Sequence, residues 1–239
     1  KRTFIMSQTY FSFKQFTIHH DKCAMKVGTD GVLLGAWVDV TSSKRILDIG
    51  AGTGLISLML AQRSEAHIVG VEINQAASEQ AKENVLKSPW SHRIDIVLSD
   101  INQYKPLQKF DTIVSNPPYF IDSLKCPDIQ RNTARHTDTL TAETLLVVAN
   151  ELLLPDGKFS MIIPYEQTSQ IIQKADKIGM YLTKHLTVFT RVGVPPKRSL
   201  LEFSKIKEIC KNEELTIELE RHVYTKEYIA LTKDFYLKM

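Results

Sequence analysis

Arg45-Ile46-Leu47-Asp48-Ile49-Gly50-Ala51-Gly52-Thr53-Gly54 decides the fold. An apolar run of strand length enters a turn in which every second residue is glycine. Leu55-Ile56-Ser57-Leu58-Met59-Leu60-Ala61-Gln62 then presents a helical apolar face. Strand, glycine turn and helix together open a βαβ unit. Glycines in such a turn let the chain bend tightly and let a ligand approach the backbone without meeting a Cβ. The rhythm continues with strands at His67–Glu72, 94–99, Phe110–Ser115 and 158–163. Helices fall between them at 75–87, 142–153 and 169–178, stopped before Pro89, by Pro155-Asp156-Gly157 and by Gly179. This alternation predicts a mostly parallel sheet with helices on both faces. Residues 186–192 and 200–206 have no helix between them and predict an antiparallel hairpin at one edge.

Upstream, residues 10–20 are aromatic and β-branched in rough alternation, which predicts a short hairpin or extended arm. Residues 30–39 predict a helix capped by Thr29 or Asp30. The expected organisation is an N-terminal extension, 1–44, packed on one α/β domain, 45–239. With 239 residues, 43% hydrophobic and 24% charged, the chain can bury one substantial core, and large-scale disorder is excluded. No apolar run approaches the ~20 residues of a membrane span. The first residues are basic but lead into no apolar h-region, so the cytoplasm is the expected compartment and Met6 is a candidate start. Cys23, Cys126 and Cys210 are far apart and form no CxxC pair, so no metal and no disulfide framework is expected.

A net charge of +3 does not by itself argue for nucleic acid. Its distribution says more. Residues 1–45 carry seven basic and three acidic side chains, and 184–211 hold Lys184, Arg191, Lys197, Arg198, Lys205, Lys207 and Lys211 against Glu202 and Glu208. Solvated faces account for this as well as the flanks of a polyanion-binding groove do.

The carboxylates sharpen the reading. The glycine spacing is GxGxG rather than the GxGxxG of dinucleotide folds. Asp48 puts a carboxylate beside the loop, unsuited to a pyrophosphate and suited to a cationic ligand such as a sulfonium. Glu72 ends the second strand, where a carboxylate can accept both hydrogens of a ribose diol. Asp100 follows the third strand and can accept from an adenine amino group. Glu72 or Asp100 alone is more often a helix cap or solvated turn residue; the glycine turn and these carboxylates at successive strand ends together predict a nucleoside-type cofactor. On these residues the chain resembles the class I S-adenosylmethionine (SAM)-dependent methyltransferases. The resemblance implies a Rossmann-like α/β fold with a mostly parallel seven-stranded sheet, an antiparallel edge hairpin and helices on both faces. It also implies SAM as methyl donor, with Gly50 and Gly52 against its methionine part, Glu72 on its ribose and Asp100 at its adenine.

Asn116-Pro117-Pro118-Tyr119 follows the fourth strand directly. Proline fixes φ, and the residue before it is held extended, so Asn116 is rigidly presented. An amino group conjugated to a ring or carbonyl is a poor nucleophile because its lone pair is delocalised. Two acceptors, the Asn116 side-chain oxygen and the Pro117 carbonyl, can draw its two hydrogens toward tetrahedral geometry. Tyr119 offers a face for a flat ring, worth on the order of 1–3 kcal/mol per stacked base. In this position the motif resembles amino methyltransferases acting on adenine N6, guanine N2 or a glutamine amide.

Residues 13–37, Leu47–Gly52, Ser88-Pro89-Trp90, Ser115–Tyr119 and 230–237 narrow the match, and it then covers essentially the whole chain. They resemble the bacterial tRNA adenine-N6 methyltransferases that modify the adenine 3′ of the anticodon, position 37, in a valine tRNA. This implies tRNA as partner and places Lys26, Gly28 and Thr29 near the methionine end of SAM. Arg131, Arg135 and His136, with Arg191, Lys197 and Arg198, are candidate phosphate contacts. A monomer is expected. The rival readings are a release-factor glutamine N5-methyltransferase, a guanine-N2 RNA methyltransferase and, in another class, a non-catalytic SAM- or RNA-binding module. The first carries a larger helical N-terminal domain than the 44 residues ahead of the first strand here. The last leaves the intact Asn116 unexplained.

Overall fold

A computed structural model describes residues 9–23, 26–118 and 140–239. Tyr119, Cys126, Arg131, Arg135 and His136 lie outside the described residues. Two short strands, β1 (Tyr10–Ser12) and β2 (Thr17–His19), form the expected N-terminal hairpin. Helix α1 (Thr29–Trp37) follows, then β3 (Arg45–Ile49), α2 (Leu55–Arg63), β4 (His67–Glu72), α3 (Gln75–Leu86), β5 (Ile94–Leu98) and β6 (Phe110–Ser115). After the undescribed segment come α4 (Ala142–Leu152), β7 (Leu153–Pro164), α5 (Thr168–Lys177), β8 (Tyr181–Arg191), β9 (Arg198–Ser204), β10 (Lys211–Glu220), β11 (Val223–Tyr224) and α6 (Lys226–Thr232).

The main sheet runs β11-β10-β8-β9-β7-β6-β3-β4-β5. Strands β5, β4, β3, β6 and β7 are parallel, and β9 pairs antiparallel with both β7 and β8. The chain steps outward from β3 to β4 and β5, then returns to lay β6 on the other side of β3. A crevice therefore opens beyond the carboxyl ends of β3 and β6, where such sheets bind ligands. Alternation along β3 sends Ile46 to the layer containing α1 and α2, and Leu47 and Ile49 to the layer containing α4 and α5. Asp48 follows Ile46 in period two and so faces α2.

The expected seven strands are present, and two more extend the sheet. Strand β10 lies parallel to β8, and β11 closes that side as an antiparallel partner of β10. Consequently β8 is interior rather than an edge strand, lying between β10 and β9. Pro155-Asp156-Gly157, expected to be a stop, lies inside β7, where the register against β6 is interrupted between Phe110 and Thr112. Gly157 is needed there because a Cβ would lie 2.9 Å from the Asp111 carbonyl oxygen. The cap of α1 also differs from expectation. Gly28 occupies the N-cap without a side-chain bond, Thr29 is the first helical residue and Asp30 lies in the first turn.

The first hairpin meets the segment after α6. Phe13 bridges to Tyr236, the Lys14 amide donates to the Phe235 carbonyl, and the Phe13, Phe16 and Tyr236 rings pack together. This seats the N-terminal hairpin beside α6 and delivers the chain toward the crevice.

Candidate active site

The loop between β3 and α2 needs its glycines. Gly50, Gly52 and Gly54 have φ of 75°, 55° and 80°, the left-handed region that side chains rarely adopt. A Cβ on Gly50 would meet nothing within 4 Å, so that side of the loop is open to a ligand. The opposite side is fixed. Val71 O accepts from the Gly50 and Ala51 amides at 2.8 and 3.1 Å, and the Glu72 carboxylate accepts from the Gly52 amide at 2.8 Å.

Asp48 lies beneath this loop, fully buried. One oxygen, Oδ2, accepts from the Ser57 amide at 3.1 Å and from the Ser57 hydroxyl at 2.7 Å. Oδ1 is buried with no partner. Burial pushes the carboxyl up to about 6, opposed by the two Ser57 bonds and reinforced by the negative charge of Glu72. A buried carboxylate with a spare acceptor is chemically matched to a cation. The glycine cradle and Asp48 thus fit a SAM-type sulfonium, and they do not fit a pyrophosphate.

Glu72 ends β4 and is buried. Its second oxygen accepts from the Asn74 amide at 2.8 Å, so the carboxylate spans the glycine loop and the start of α3 while keeping acceptor capacity. Asp100 follows β5, half-buried, and accepts from the Asn102 amide and side chain at 2.9 and 3.0 Å. The three carboxylates therefore stand at the ends of neighbouring strands β3, β4 and β5, as their sequence spacing predicts.

Asn116 and Pro117 leave the end of β6, the former half-buried and the latter buried. The Ser115 hydroxyl donates to the Ile49 carbonyl at 2.9 Å, tying the asparagine corner to the strand that carries the glycine loop. Helix α1 closes one side. A Cβ on Gly31 would lie 3.9 Å from Asn116 Nδ2 and 3.0 Å from Leu55 Cδ2. Gly28 and Thr29 open α1 from the same end and are exposed, as is Lys26. The fold therefore brings the glycine loop, Asp48, Glu72, Asn116 and the start of α1 to one crevice.

The basic candidates separate. Arg191 and Lys197 are exposed at the ends of β8 and of its connection to β9. Arg198 instead puts Nε 2.8 Å from Asp30 Oδ2, with the two side chains only 15% and 26% exposed. It braces the first turn of α1 from β9.

Three site residues escaped the sequence reading: Ser57, Asn84 and Asp30 in its paired role. A signal existed for some. Ser57 is the lone polar residue in 55–61, and Gln80 and Asn84 are polar residues spaced i, i+4 on the face that also carries Ala77 and Ala81. Among the described residues no group of three or more His, Cys, Asp or Glu side chains is arranged for a metal. No described helix is long and apolar enough to cross a membrane.

Comparison with known proteins matches residues 23–181 to the family described as "Methyltransferase small domain". A relative from Bacteroides fragilis, named tRNA1(Val) (adenine(37)-N6)-methyltransferase, is 56% identical over 98% of this chain and 100% of its own. A relative of the same name from Pectobacterium carotovorum is 47% identical over 96% of this chain and 94% of its own. Among solved structures, a predicted O-methyltransferase from Agrobacterium tumefaciens aligns with a TM-score of 0.65 at 22% identity, covering 86% of this chain and 96% of that one. At that identity the likeness speaks for the fold.

Proposed function

The chain belongs to the methyltransferase small domain family, alongside relatives named tRNA1(Val) (adenine(37)-N6)-methyltransferases, and on that premise we propose that it methylates N6 of adenine 37 in a valine tRNA with SAM as donor. The observation that carries the proposal is the Ser115–Ile49 bond. It holds the Asn116 corner against the strand that bears the glycine loop, which supports reading the two as the amine site and the methyl-donor site of one crevice.

SAM supplies an electrophilic methyl group on a positively charged sulfur. The chain's own residues do the rest. Gly50 and Gly52 receive the methionine part, with Lys26, Gly28 and Thr29 at its far end. Glu72 takes the ribose hydroxyls and Asp100 the adenine amino group. Asp48 places negative charge beneath the loop. At the substrate, Asn116 Oδ1 and Pro117 O accept the two hydrogens of the adenine N6 amino group, orienting its lone pair. Tyr119 stacks on the base. No strong base is required, because the methylated amine becomes acidic and releases its proton afterwards. Catalysis is mainly placement and electrostatics. The base must leave its stack to reach Asn116, while Arg131, Arg135, Arg191 and Lys197 hold phosphates. Residues 1–44 serve as an extension packed on a methyltransferase domain, 45–239, and the protein acts as a cytoplasmic monomer.

The test is methyl transfer from labelled SAM to tRNA lacking the modification, followed by digestion to nucleosides. Label in N6-methyladenosine, absent with Asn116→Ala, supports the reading. Label in N2-methylguanosine, or in a release factor rather than RNA, refutes it.

A further inference from the structure

Asn84 lies on α3, 1% exposed, and spends its whole amide on two other segments. Its Oδ1 accepts from the His19 amide at 3.0 Å, and Nδ2 donates to the His19 carbonyl at 2.9 Å. One side chain thereby does for His19 what a neighbouring strand would do. The second amide hydrogen goes to the Thr53 carbonyl at 2.9 Å. Thr53 sits between Gly52, whose N–H is held by Glu72, and Gly54, whose φ is 80°. Its carbonyl belongs to the peptide that joins it to Gly54, so Asn84 fixes the plane of that peptide. Helix α3 packs close to the loop here: a Cβ on Gly54 would lie 3.4 Å from Ala81 Cβ, an ordinary contact, so it is the φ of 80° rather than space that calls for glycine.

The arm remains attached beyond His19. Gln80 Oε1, one turn back on α3, accepts from the Lys22 amide at 3.1 Å. The next residue, Cys23, is close enough to Glu72 that burial and that negative charge both push its thiol up.

We propose that Asn84 is a positioning residue that joins the N-terminal arm to the glycine loop, so that the arm and the cofactor loop are set as one unit when SAM binds. This rests on the SAM reading above. Asparagine alone among the residue types matches the pattern. Aspartate has no hydrogens for the two carbonyls, leucine has neither donor nor acceptor, and glutamine is one methylene too long.

The experiment is a SAM titration of the wild type, Asn84→Ala and Gln80→Ala, with hydrogen exchange of the wild type with and without SAM. Asn84→Ala takes this partner from three backbone groups, the buried Thr53 carbonyl and the part-buried His19 amide and carbonyl. It is expected to weaken SAM binding roughly ten- to a hundredfold and to raise KM for SAM by the same factor, with kcat at saturation within about twofold. Gln80→Ala, which removes the bond to the Lys22 amide of the arm and none to the glycine loop, is expected to change SAM affinity by no more than about threefold. In the wild type, SAM is expected to slow exchange at the His19 and Lys22 amides as well as at Gly52. A folded Asn84→Ala protein with wild-type SAM affinity overturns the inference. So does SAM protection that reaches the glycine loop but not His19 and Lys22, a readout that stands even if the variant fails to fold. A wild type that does not bind SAM removes the cofactor reading and this inference with it.

Discussion

Replacing Asp48 with asparagine is predicted to trade cofactor affinity for stability, in a pH-dependent way. Burial pushes this carboxyl from an ordinary 3.8 up to about 6. In acid below both values the group is neutral, folded or unfolded, and costs nothing. As pH rises through the window between them, the unfolded chain releases its proton first, and the fold loses stability. Above about 6 the loss is complete. About two pK units at 1.36 kcal/mol each amount to about 3 kcal/mol, of which about 1.4 kcal/mol develops between pH 5 and pH 8. Asparagine escapes this penalty. Its oxygen still accepts from Ser57, but its NH2 lands where Oδ1 has no partner, at a pH-independent cost of about 1–3 kcal/mol. The absolute change is therefore small, and the pH trend of the difference is the diagnostic. Urea unfolding of both proteins without ligand, at pH values from about 5 to about 8, reads it directly. Asp48→Asn is expected to gain about 1.4 kcal/mol on the wild type across that range, while binding SAM more weakly because a neutral amide no longer answers the sulfonium charge. A difference that stays flat with pH would refute the argument, since it would mean that Asp48 is ionised at no cost in the fold.

Asn116→Ala is expected to lower turnover by about 10²–10³-fold while SAM affinity, measured by titration, stays at the wild-type value. Gly50→Ala forces a side chain to a φ of 75°, a strain of about 1–2 kcal/mol in thermal or urea melts. Its methyl also enters the open side of the loop, so SAM affinity should fall by more than that strain alone accounts for. Arg191→Ala with Lys197→Ala should reduce the salt slope of tRNA binding by about 2. Arg198→Ala should leave that slope unchanged and instead resemble Asp30→Asn in SAM affinity, because its partner is α1.

The parts of the molecule that were legible beforehand are those where local chemistry and global position agree. Each glycine of the loop adopts a conformation that demands it, and each strand-end carboxylate appears where its strand ends. What escaped depended on tertiary context. Strand β10 reads Leu-Thr-Ile-Glu-Leu with proper alternation, but only Leu215 is buried and Glu213 lies between Lys184 and Lys211, so its polarity resembles a surface loop. Pro155-Asp156-Gly157 has turn chemistry yet serves as an irregularity within β7. Arg198 looked like a phosphate contact because sequence cannot reveal Asp30, 168 residues away, as its partner. Asn84 is one polar residue among many in α3 until the fold brings His19 and Thr53 to it.

The strand order also sorts charge across the catalytic edge. Asp48, Glu72 and Asp100 stand at or just past the carboxyl ends of β3, β4 and β5, and Arg191 and Lys197 flank the turn between β8 and β9. Strand β6, with Asn116, lies between the two groups. On the proposed reading a cation is drawn to one side of Asn116 and a phosphate backbone is held toward the other, where it avoids the carboxylates. Among the described residues the positive side is modest. Arg198 is neutralised by Asp30, and Glu218 lies beside Arg191 in the β8–β10 register. Electrostatics of this strength orient an RNA more than they anchor it. Selection of the target must then come from which base can leave its stack, cross from the basic side and present an amino group to two fixed acceptors at Asn116 and Pro117.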